Sequence, residues 1–361
     1  MIKEAKYILG IIFISALTIG AVNQIKSHYV VNLRYGEAYS DKFFQKIQGT
    51  DLEGCLILST LNPDLLIVGD SHTYAGINFL ELGNLLPNQT FSSCAIGGFY
   101  FQMLDELIDQ LEEQGYVPKK IWYMTSPRQF ADSKNINRVR EQLFSKLQAG
   151  LDETYGYPLF FRDVAEFLQR NFQNILVYDN QQSKNQILQE YSKKISSHQE
   201  IIDKLDVNLV NKYLFYNKNN AFKEWHDQIK VWSNNANIEN QIANFCELIN
   251  NREIQLSVIH IPESPALTEM YSDKIKENYN VILDKFNRCA MQVINEESKF
   301  YGIDNRFYLN RHLYSDYPYY EIAKPDSEIP PDGLYDLDHL NGVGASIFTN
   351  HLVSLLGDVD K

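Results

Sequence analysis

The stretch LLIVGDSHTYAGINF, residues 65–79, decides the expected fold. Five residues of strand character run into Asp70-Ser71-His72, and the chain then becomes amphipathic. A short apolar run that ends in a polar turn is typical of a buried strand feeding a helix. Two interpretations are open at this turn. Asp70 and Ser71 either only cap the helix, or the strand delivers Ser71 to the edge of a sheet where ligands bind.

Other apolar runs of strand length follow, with amphipathic segments between the first three. Alternating strands and helices at this spacing predict parallel pairing with right-handed crossovers. Strands that are apolar on both faces indicate helices on both sides of the sheet. We therefore predict an α/β fold, a three-layer α/β/α sandwich around a mostly parallel five-stranded sheet. The predicted strands are 64–70, 89–96, 119–127, 254–262 and a fifth within 299–310, broken at Gly302.

Residues 129–250 interrupt this alternation. They are rich in Asn, Gln, Lys and aromatic residues and have mostly helical patterns. We expect a helical insertion at about 129–250, placed over the carboxyl ends of the strands. Because the strands before and after it must pair to complete one sheet, residues 51–361 are expected to form one domain.

The N-terminus has a different character. Residues 7–22 are uncharged and mostly apolar, and Lys3, Lys6 and Lys26 flank them. A helix of this length spans about 24 Å, short of the roughly 30 Å of a bilayer core. We predict that residues 1–22 form a cytoplasmic tip and signal anchor, and 23–50 a stalk. A cleaved signal peptide and a buried helix are the alternatives. The expected location is a single-pass membrane protein with its large domain extracytoplasmic.

Charge and cysteine spacing exclude several classes of function. The chain carries a net charge of −13 and a pI of about 5.1, so nucleic acid is not an expected partner. The four cysteines form no CxxC and no metal-ligand pattern, and small buried thiols are expected, with disulfides as the alternative in an exported protein. No motif indicates a metal or an organic cofactor, and none is predicted. The cysteines are Cys55, Cys94, Cys246 and Cys289.

The far end of the chain favours the catalytic interpretation of Ser71. The segment DLDHLN, 336–341, places Asp336 and His339 three residues apart before an apolar helix. An Asp at this spacing can bind Nδ1–H of the imidazole and leave Nε2 free to take a serine proton. Asp338, the neighbour of His339, is expected to face away from it.

Two further histidines have structural interpretations. His72 follows the serine and is expected to be a surface or cap residue. His260, in the fourth predicted strand, is expected to be a core histidine with its hydrogen bonds satisfied.

These motifs together resemble the SGNH (GDSL) hydrolase superfamily, whose members share a flavodoxin-like sandwich. GDSH, 69–72, resembles the first block, which implies Ser71 as nucleophile and as one oxyanion donor. SSCAIGGF, 92–99, resembles the second block, which implies Gly98 as another donor, with Gly97 as the alternative. DLDHLN resembles the fifth block, which implies Asp336 as the orienting acid and His339 as the base.

One block departs from the family pattern. The third block usually contributes an asparagine side chain to the oxyanion site, and here YMTSPRQF, 123–130, holds none. Ser126 is the candidate substitute donor, with Arg128 and Gln129 as alternatives. Loss of one oxyanion donor typically lowers the rate by about 10²–10³-fold.

The anchor, the GDSH variant and HLNGVGA before a helix resemble one branch of the superfamily. Its members work with multi-pass membrane O-acyltransferases on cell-surface polymers. This implies serine-dependent acyl transfer or ester hydrolysis, with O-acetylation of an extracytoplasmic polysaccharide as the expected reaction. The alternative is a membrane-tethered assembly or polymer-binding subunit whose serine site has decayed.

Overall fold

A computed structural model of the chain describes residues 63–130 (except 88 and 114), 237–309 and 338–356, with short helical pieces between 136 and 211. In these residues, five strands form one sheet in the order β2-β1-β3-β4-β5, and every neighbouring pair is parallel. The predicted α/β fold with a five-stranded parallel sheet is confirmed. The strands are β1 (Leu65–Gly69), β2 (Phe91–Ala95), β3 (Lys120–Thr125), β4 (Gln255–His260) and β5 (Ala290–Ile294).

Helices connect these strands on both faces of the sheet. The chain adds β2 on one side of β1 and β3 on the other, so the strand order reverses between β1 and β3, where parallel sheets of this type bind ligands. The described α-helices are α1 (Ser71–Gly76), α2 (Phe79–Leu85), α3 (Leu104–Glu113), α4 (Ile238–Asn251), α5 (Pro265–Thr268), α6 (Asp273–Phe286) and α7 (Gly342–Leu356).

Alternate residues of β1 belong to two separate hydrophobic cores. Leu66 and Val68 pack with α3, α4 and α6, whereas Leu65 and Ile67 pack with α2 and α7. All five residues of β1 are buried, as expected for a strand covered on both faces. Packing on both faces fixes the position of β1 in the sheet. The turn at Asp70, which follows the last residue of β1, therefore lies at the carboxyl edge of the sheet.

The fifth strand does not lie where the sequence predicted it. β5 is Ala290–Ile294, and the segment expected to hold the strand forms two 3₁₀ helices, Ser298–Tyr301 and Asn305–Tyr308. β5 is an edge strand whose residues are only partly buried, so it lacks a continuous apolar run. The 299–310 segment has its apolar side chains because Tyr301, Ile303 and Phe307 cover the α7 side of the sheet.

The expected insertion is only partly within the described residues. Its last helix, α4, packs directly on the sheet through Ile242, Phe245 and Ile249 and serves as the crossover into β4. Most of 131–236 lies outside the described residues, as do the predicted anchor and stalk. Among the helices that the structure describes, none has the length and apolar character needed to cross a bilayer.

The expectation of free thiols was wrong. Cys246, on α4, forms a disulfide with Cys289, just before β5, and Cys94 is disulfide-bonded as well. The bond joins α4 to the edge of the sheet over a sequence separation of 43 residues. Periodicity cannot reveal such a pairing, because the two residues are brought together only by the β4–α6–β5 connection.

Candidate active site

Ser71 lies at the carboxyl end of β1, as the first residue of α1, and is partly exposed. Asp70 is the cap of this helix, because the carboxylate Oδ1 accepts a hydrogen bond of 3.0 Å from the backbone N–H of His72. The Ser71 hydroxyl is not used for capping and is free for a different contact.

The turn before Ser71 is tight, and only glycine fits there. A Cβ on Gly69 would lie 1.9 Å from Oγ1 of Thr73 and 2.7 Å from the carbonyl oxygen of Met124. The missing side chain lets the end of β1 approach both β3 and α1. This close approach fixes the direction in which Ser71 leaves the sheet.

His339 is the hydrogen-bond partner of the Ser71 hydroxyl. Its Nε2 lies 2.8 Å from Oγ of Ser71, although 268 positions separate the two residues in the chain. The imidazole side chain is 12% exposed, so the pair is reachable from solvent. The structure thus brings together the two residues that the sequence analysis named as nucleophile and base.

The carboxylate beside His339 is Asp338, and the expectation that Asp338 faces away was wrong. Oδ1 of Asp338 lies 3.0 Å from Nδ1 of His339. A carboxylate can only accept at that position, so Nδ1 carries the proton and Nε2 accepts from the Ser71 hydroxyl. Asp336, the acid predicted from the sequence, lies outside the described residues.

Asn341 holds the segment in which Asp338 and His339, neighbours in the chain, contact each other. Residues 338–341 are irregular, so their side chains do not alternate as in a strand. The buried Asn341 holds this segment: its amide donates to the carbonyl of Leu309, its backbone N–H to that of Phe307, and its Oδ1 caps α7 by accepting from Gly344 N–H at 3.1 Å. The fixed loop places Asp338 and His339 together at the sheet edge.

His72 is buried, and its expected surface role was wrong. Its Nδ1 lies 2.8 Å from Oδ1 of Asp70, and its Nε2 lies 2.8 Å from Oδ2 of Asp338. Its ring also stacks on that of His339, with centroids 4.9 Å apart. No signal in a single sequence reveals this role, because one partner is at position 70 and the other at 338.

Arg128, from the turn after β3, completes the group. It donates to Oδ2 of Asp338 at 3.1 Å and to Oδ2 of Asp70 at 3.4 Å, and its side chain is 21% exposed. Two carboxylates thus meet two cationic side chains, His72 and Arg128, if the imidazole is protonated. A buried cluster with balanced charge avoids the large free-energy cost of an unpaired ion.

The buried charges shift one another's titration. Burial opposes ionisation of Asp70, but the charge and hydrogen bond of His72, with Arg128, hold its pKa well below its usual value. Burial also opposes the His72 imidazolium, and Arg128 repels it. The carboxylates of Asp70 and Asp338 outweigh both effects and raise the pKa of His72.

The candidate oxyanion donors differ in exposure: Gly98 is exposed, whereas Ser126 and Gln129 are buried. Gly98 lies in an exposed turn after β2, with φ of 75°, which favours glycine. Ser126 is fully buried, and its hydroxyl has no partner among the described residues. Gln129 is also buried and is engaged with Tyr123 and the Met124 carbonyl. Both residues are 0% exposed, so neither side chain is accessible to a substrate from solvent.

One group of side chains has the proximity of metal ligands. Donor atoms of His72, Asp338 and His339 lie within 4.8 Å of one another. Asp338 Oδ2 already accepts from His72 and from Arg128, and the guanidinium would repel a cation at that oxygen. The chemistry of the set fits a hydrogen-bonded ionic network, and we assign no metal to it.

His260 and Glu263 lie at the end of β4, behind the site. His260 is buried with its Nδ1 3.0 Å from the Tyr279 hydroxyl, and burial lowers its pKa to about 4, so the expected core histidine is confirmed. Glu263 is 2% exposed and accepts from the Tyr271 hydroxyl at 2.8 Å. Burial raises the pKa of Glu263 to about 7, although His72 opposes the shift.

Glu263→Gln is expected to stabilise the protein at about pH 8 and to leave stability unchanged at about pH 4. Because the folded-state pKa is raised from 4.5 to about 7, the wild type loses stability as pH rises through that window. The full loss is about 3 kcal/mol, and the amide avoids it while still accepting from Tyr271. Urea unfolding at both pH values measures the difference; an equal gain at both would contradict this origin.

No protein-family model, no curated protein and no solved structure matches this chain.

Proposed function

We propose that this chain is an SGNH-like serine enzyme that transfers an acyl group from an ester to water or to a hydroxyl of an extracytoplasmic carbohydrate polymer. One observation carries the proposal. Ser71 Oγ lies 2.8 Å from Nε2 of His339, whose Nδ1 lies 3.0 Å from Oδ1 of Asp338. These are the distances at which a nucleophile, a base and an orienting acid act as a unit.

In the first step, Ser71 Oγ attacks the carbonyl carbon of the ester. Nε2 of His339 takes the hydroxyl proton, and Asp338 stabilises the imidazolium that forms. When the tetrahedral intermediate collapses, the bond to the leaving oxygen breaks and His339 returns the proton to that oxygen. The alcohol leaves, and the acyl group remains as an ester on Ser71.

In the second step, His339 accepts a proton from the incoming hydroxyl. The oxygen of that hydroxyl attacks the carbonyl carbon of the Ser71 ester. The bond from this carbon to Ser71 Oγ then breaks, and His339 gives the proton to Oγ. With water the product is a free acid, whereas with a sugar hydroxyl it is a new ester. The same residues serve both reactions, and the acceptor held in the mouth of the site decides the outcome.

The negative charge that develops on the carbonyl oxygen needs donors. We assign this role to the backbone N–H groups of Ser71 and Gly98. The first N–H groups of a helix have no partner within the helix. β2 continues beside the Ser71 turn, since Ile96 N–H donates to the Gly69 carbonyl at 2.8 Å. The segment 123–130 holds no asparagine to give the usual third donor, so we expect slower turnover than in a complete oxyanion site.

Two features support an extracytoplasmic location. The Cys246–Cys289 disulfide and the disulfide-bonded Cys94 suit an oxidising compartment. The apolar segment 7–22 suits a signal anchor. In this setting the membrane and a surface polysaccharide are the proposed partners, together with a multi-pass O-acyltransferase that supplies the acyl group.

Hydrolysis of p-nitrophenyl acetate by the purified chain tests the proposal. Repeating the assay with an oligosaccharide acceptor and following acetyl ester on the sugar by mass spectrometry separates transfer from hydrolysis. Turnover that requires Ser71 is the expected result. A folded protein without any Ser71-dependent cleavage or transfer would contradict the enzyme.

His339→Ala is expected to lower kcat for p-nitrophenyl acetate by about 10²–10⁴-fold, because the variant lacks the general base. The partly buried ring leaves a small gap at the mouth, so folding should persist. Circular dichroism checks the fold, and Asn350→Ala on the exposed side of α7 serves as a control. An unchanged kcat would remove His339 from the mechanism.

A second candidate is a membrane-tethered assembly or polymer-binding subunit without activity. The absence of an asparagine in 123–130 favours it, since Ser126 and Gln129 do not replace that donor at the mouth. The contacts around Asp338 argue against decay. A buried ionic cluster is a weak source of stability, so an inactive protein would have little physical reason to hold it.

A further inference from the structure

His72 joins the two ends of the chain that build the site. It follows Ser71 directly, and its ring lies between the carboxylates of Asp70 and Asp338, 2.8 Å from each. Both side chains of the Asp70–His72 pair are 1% exposed, and that of Asp338 is 4% exposed. Water therefore does not replace these contacts.

The two contacts fix the protonation of the ring. A neutral imidazole has one N–H donor and one acceptor, whereas a carboxylate only accepts. Both ring nitrogens of His72 face carboxylate oxygens, so both must carry protons. Arg128 opposes this charge, since its Nη2 lies 3.3 Å from Nδ1 and 3.4 Å from Nε2. Its guanidinium also donates to both carboxylates, however, and so favours their ionised form.

We infer that His72 is a positioning residue: a buried imidazolium that ties Asp338 to Asp70 and so holds the acid of the triad against His339. The inference rests on the proposed function. His72 takes Oδ2 of Asp338, which leaves Oδ1 directed at Nδ1 of His339. Asp70 in turn fixes His72 through the ring and through the backbone N–H, at 2.8 and 3.0 Å. The tripeptide 70–72 thus supplies the nucleophile, Ser71, and the two side chains that hold Asp338 in place beside His339.

The charged and titratable groups around His72 come from four parts of the fold. Asp70 lies on its own turn, and Arg128 lies after β3. His260 ends β4 and Glu263 follows it, while Asp338 and His339 lie before α7. The two aspartates favour the imidazolium, and Arg128 opposes it. When pH rises far enough to remove the His72 proton, one of the two bonds to carboxylate is lost. Activity should then fall on the alkaline side.

The experiment compares pH–rate profiles of p-nitrophenyl acetate cleavage for wild type and His72→Gln. His351→Gln, on the exposed side of α7, is the matched control. For His72→Gln we expect kcat about 10- to 100-fold lower with little change in KM, since a displaced orienting group can cost about 10² in rate. We also expect the alkaline limb of the wild-type profile to be absent, which a merely structural role would not produce.

A second measurement does not depend on the folding of His72→Gln, because it observes the wild-type protein. The measurement is nitrogen-15 NMR of the full chain with labelled histidine at about pH 8.5. This pH is well above the ordinary histidine pKa of about 6.5, so an ordinary imidazole is neutral there. One of the eight histidines is expected to keep both ring nitrogens protonated, and Asp70→Asn should abolish that signal.

The outcomes separate this inference from the proposed function. Wild-type activity with an unchanged His72→Gln profile, or a spectrum without a persistent imidazolium, overturns the role of His72 and leaves the enzyme standing. A wild type without Ser71-dependent activity overturns the enzyme and this inference together. A slower variant without the alkaline limb and a persistent imidazolium support the inference.

Discussion

Ser71→Ala is expected to lower the rate of p-nitrophenyl acetate cleavage by at least about 10⁴-fold. Residues of a triad act as a unit, and removal of the nucleophile leaves only the catalysis that binding and oxyanion donors provide. The fold should be unaffected. Asp70, not Ser71, caps α1, and the serine side chain gives up one hydrogen bond, to His339.

Ser354→Ala is the matched control for this variant. Ser354 is exposed on α7, and its hydroxyl bonds only the His351 carbonyl among the described partners. Its rate should equal that of the wild type. If Ser71→Ala kept its rate within about 10-fold of the wild type, another group would be the nucleophile and the triad would be dismissed.

Asp338→Asn is expected to lower kcat by about 10⁴-fold, the usual loss when the orienting acid of a triad becomes an amide. The amide can donate to Nδ1 of His339, which favours the wrong tautomer and removes the charge that stabilises the imidazolium. It also leaves His72 and Arg128 facing a neutral group in a buried place. Some loss of stability should accompany the loss of rate.

Asp336→Asn is the informative comparison for this prediction. The sequence favoured Asp336 as the orienting acid, whereas Asp338 makes the contact with His339 in the described residues. Turnover of both variants, at a temperature where both are folded, decides between them. A larger loss in Asp336→Asn than in Asp338→Asn would contradict the assignment of the acid.

The sequence predicted the parts of the fold that local pattern controls. β1, β2, β3 and β4 lie within the predicted segments, because buried strands of a parallel sheet are continuous apolar runs. β5 escaped prediction for the opposite reason, since an edge strand with partly exposed residues has no such run. The apolar 299–310 segment instead covers a core as 3₁₀ helices.

At the site, spacing identified Ser71 and His339 but not their support. The spacing of three residues indicated Asp336 as the partner of His339, whereas within the described residues Asp338 contacts Nδ1 of its neighbour. His72 and Arg128 meet Asp338 only through the strand order, which places the ends of β1 and β3 side by side. Contacts between distant segments of this kind have no local signal.

Reaction with a fluorophosphonate measures most directly whether Ser71 is an activated nucleophile. Intact-mass and peptide-mass analysis of the full chain should show one phosphonyl group, on the peptide containing Ser71. The reaction should be absent in Ser71→Ala and slow in His339→Ala. A folded wild-type protein that gains no such mass, or gains it at another serine, would contradict the claim.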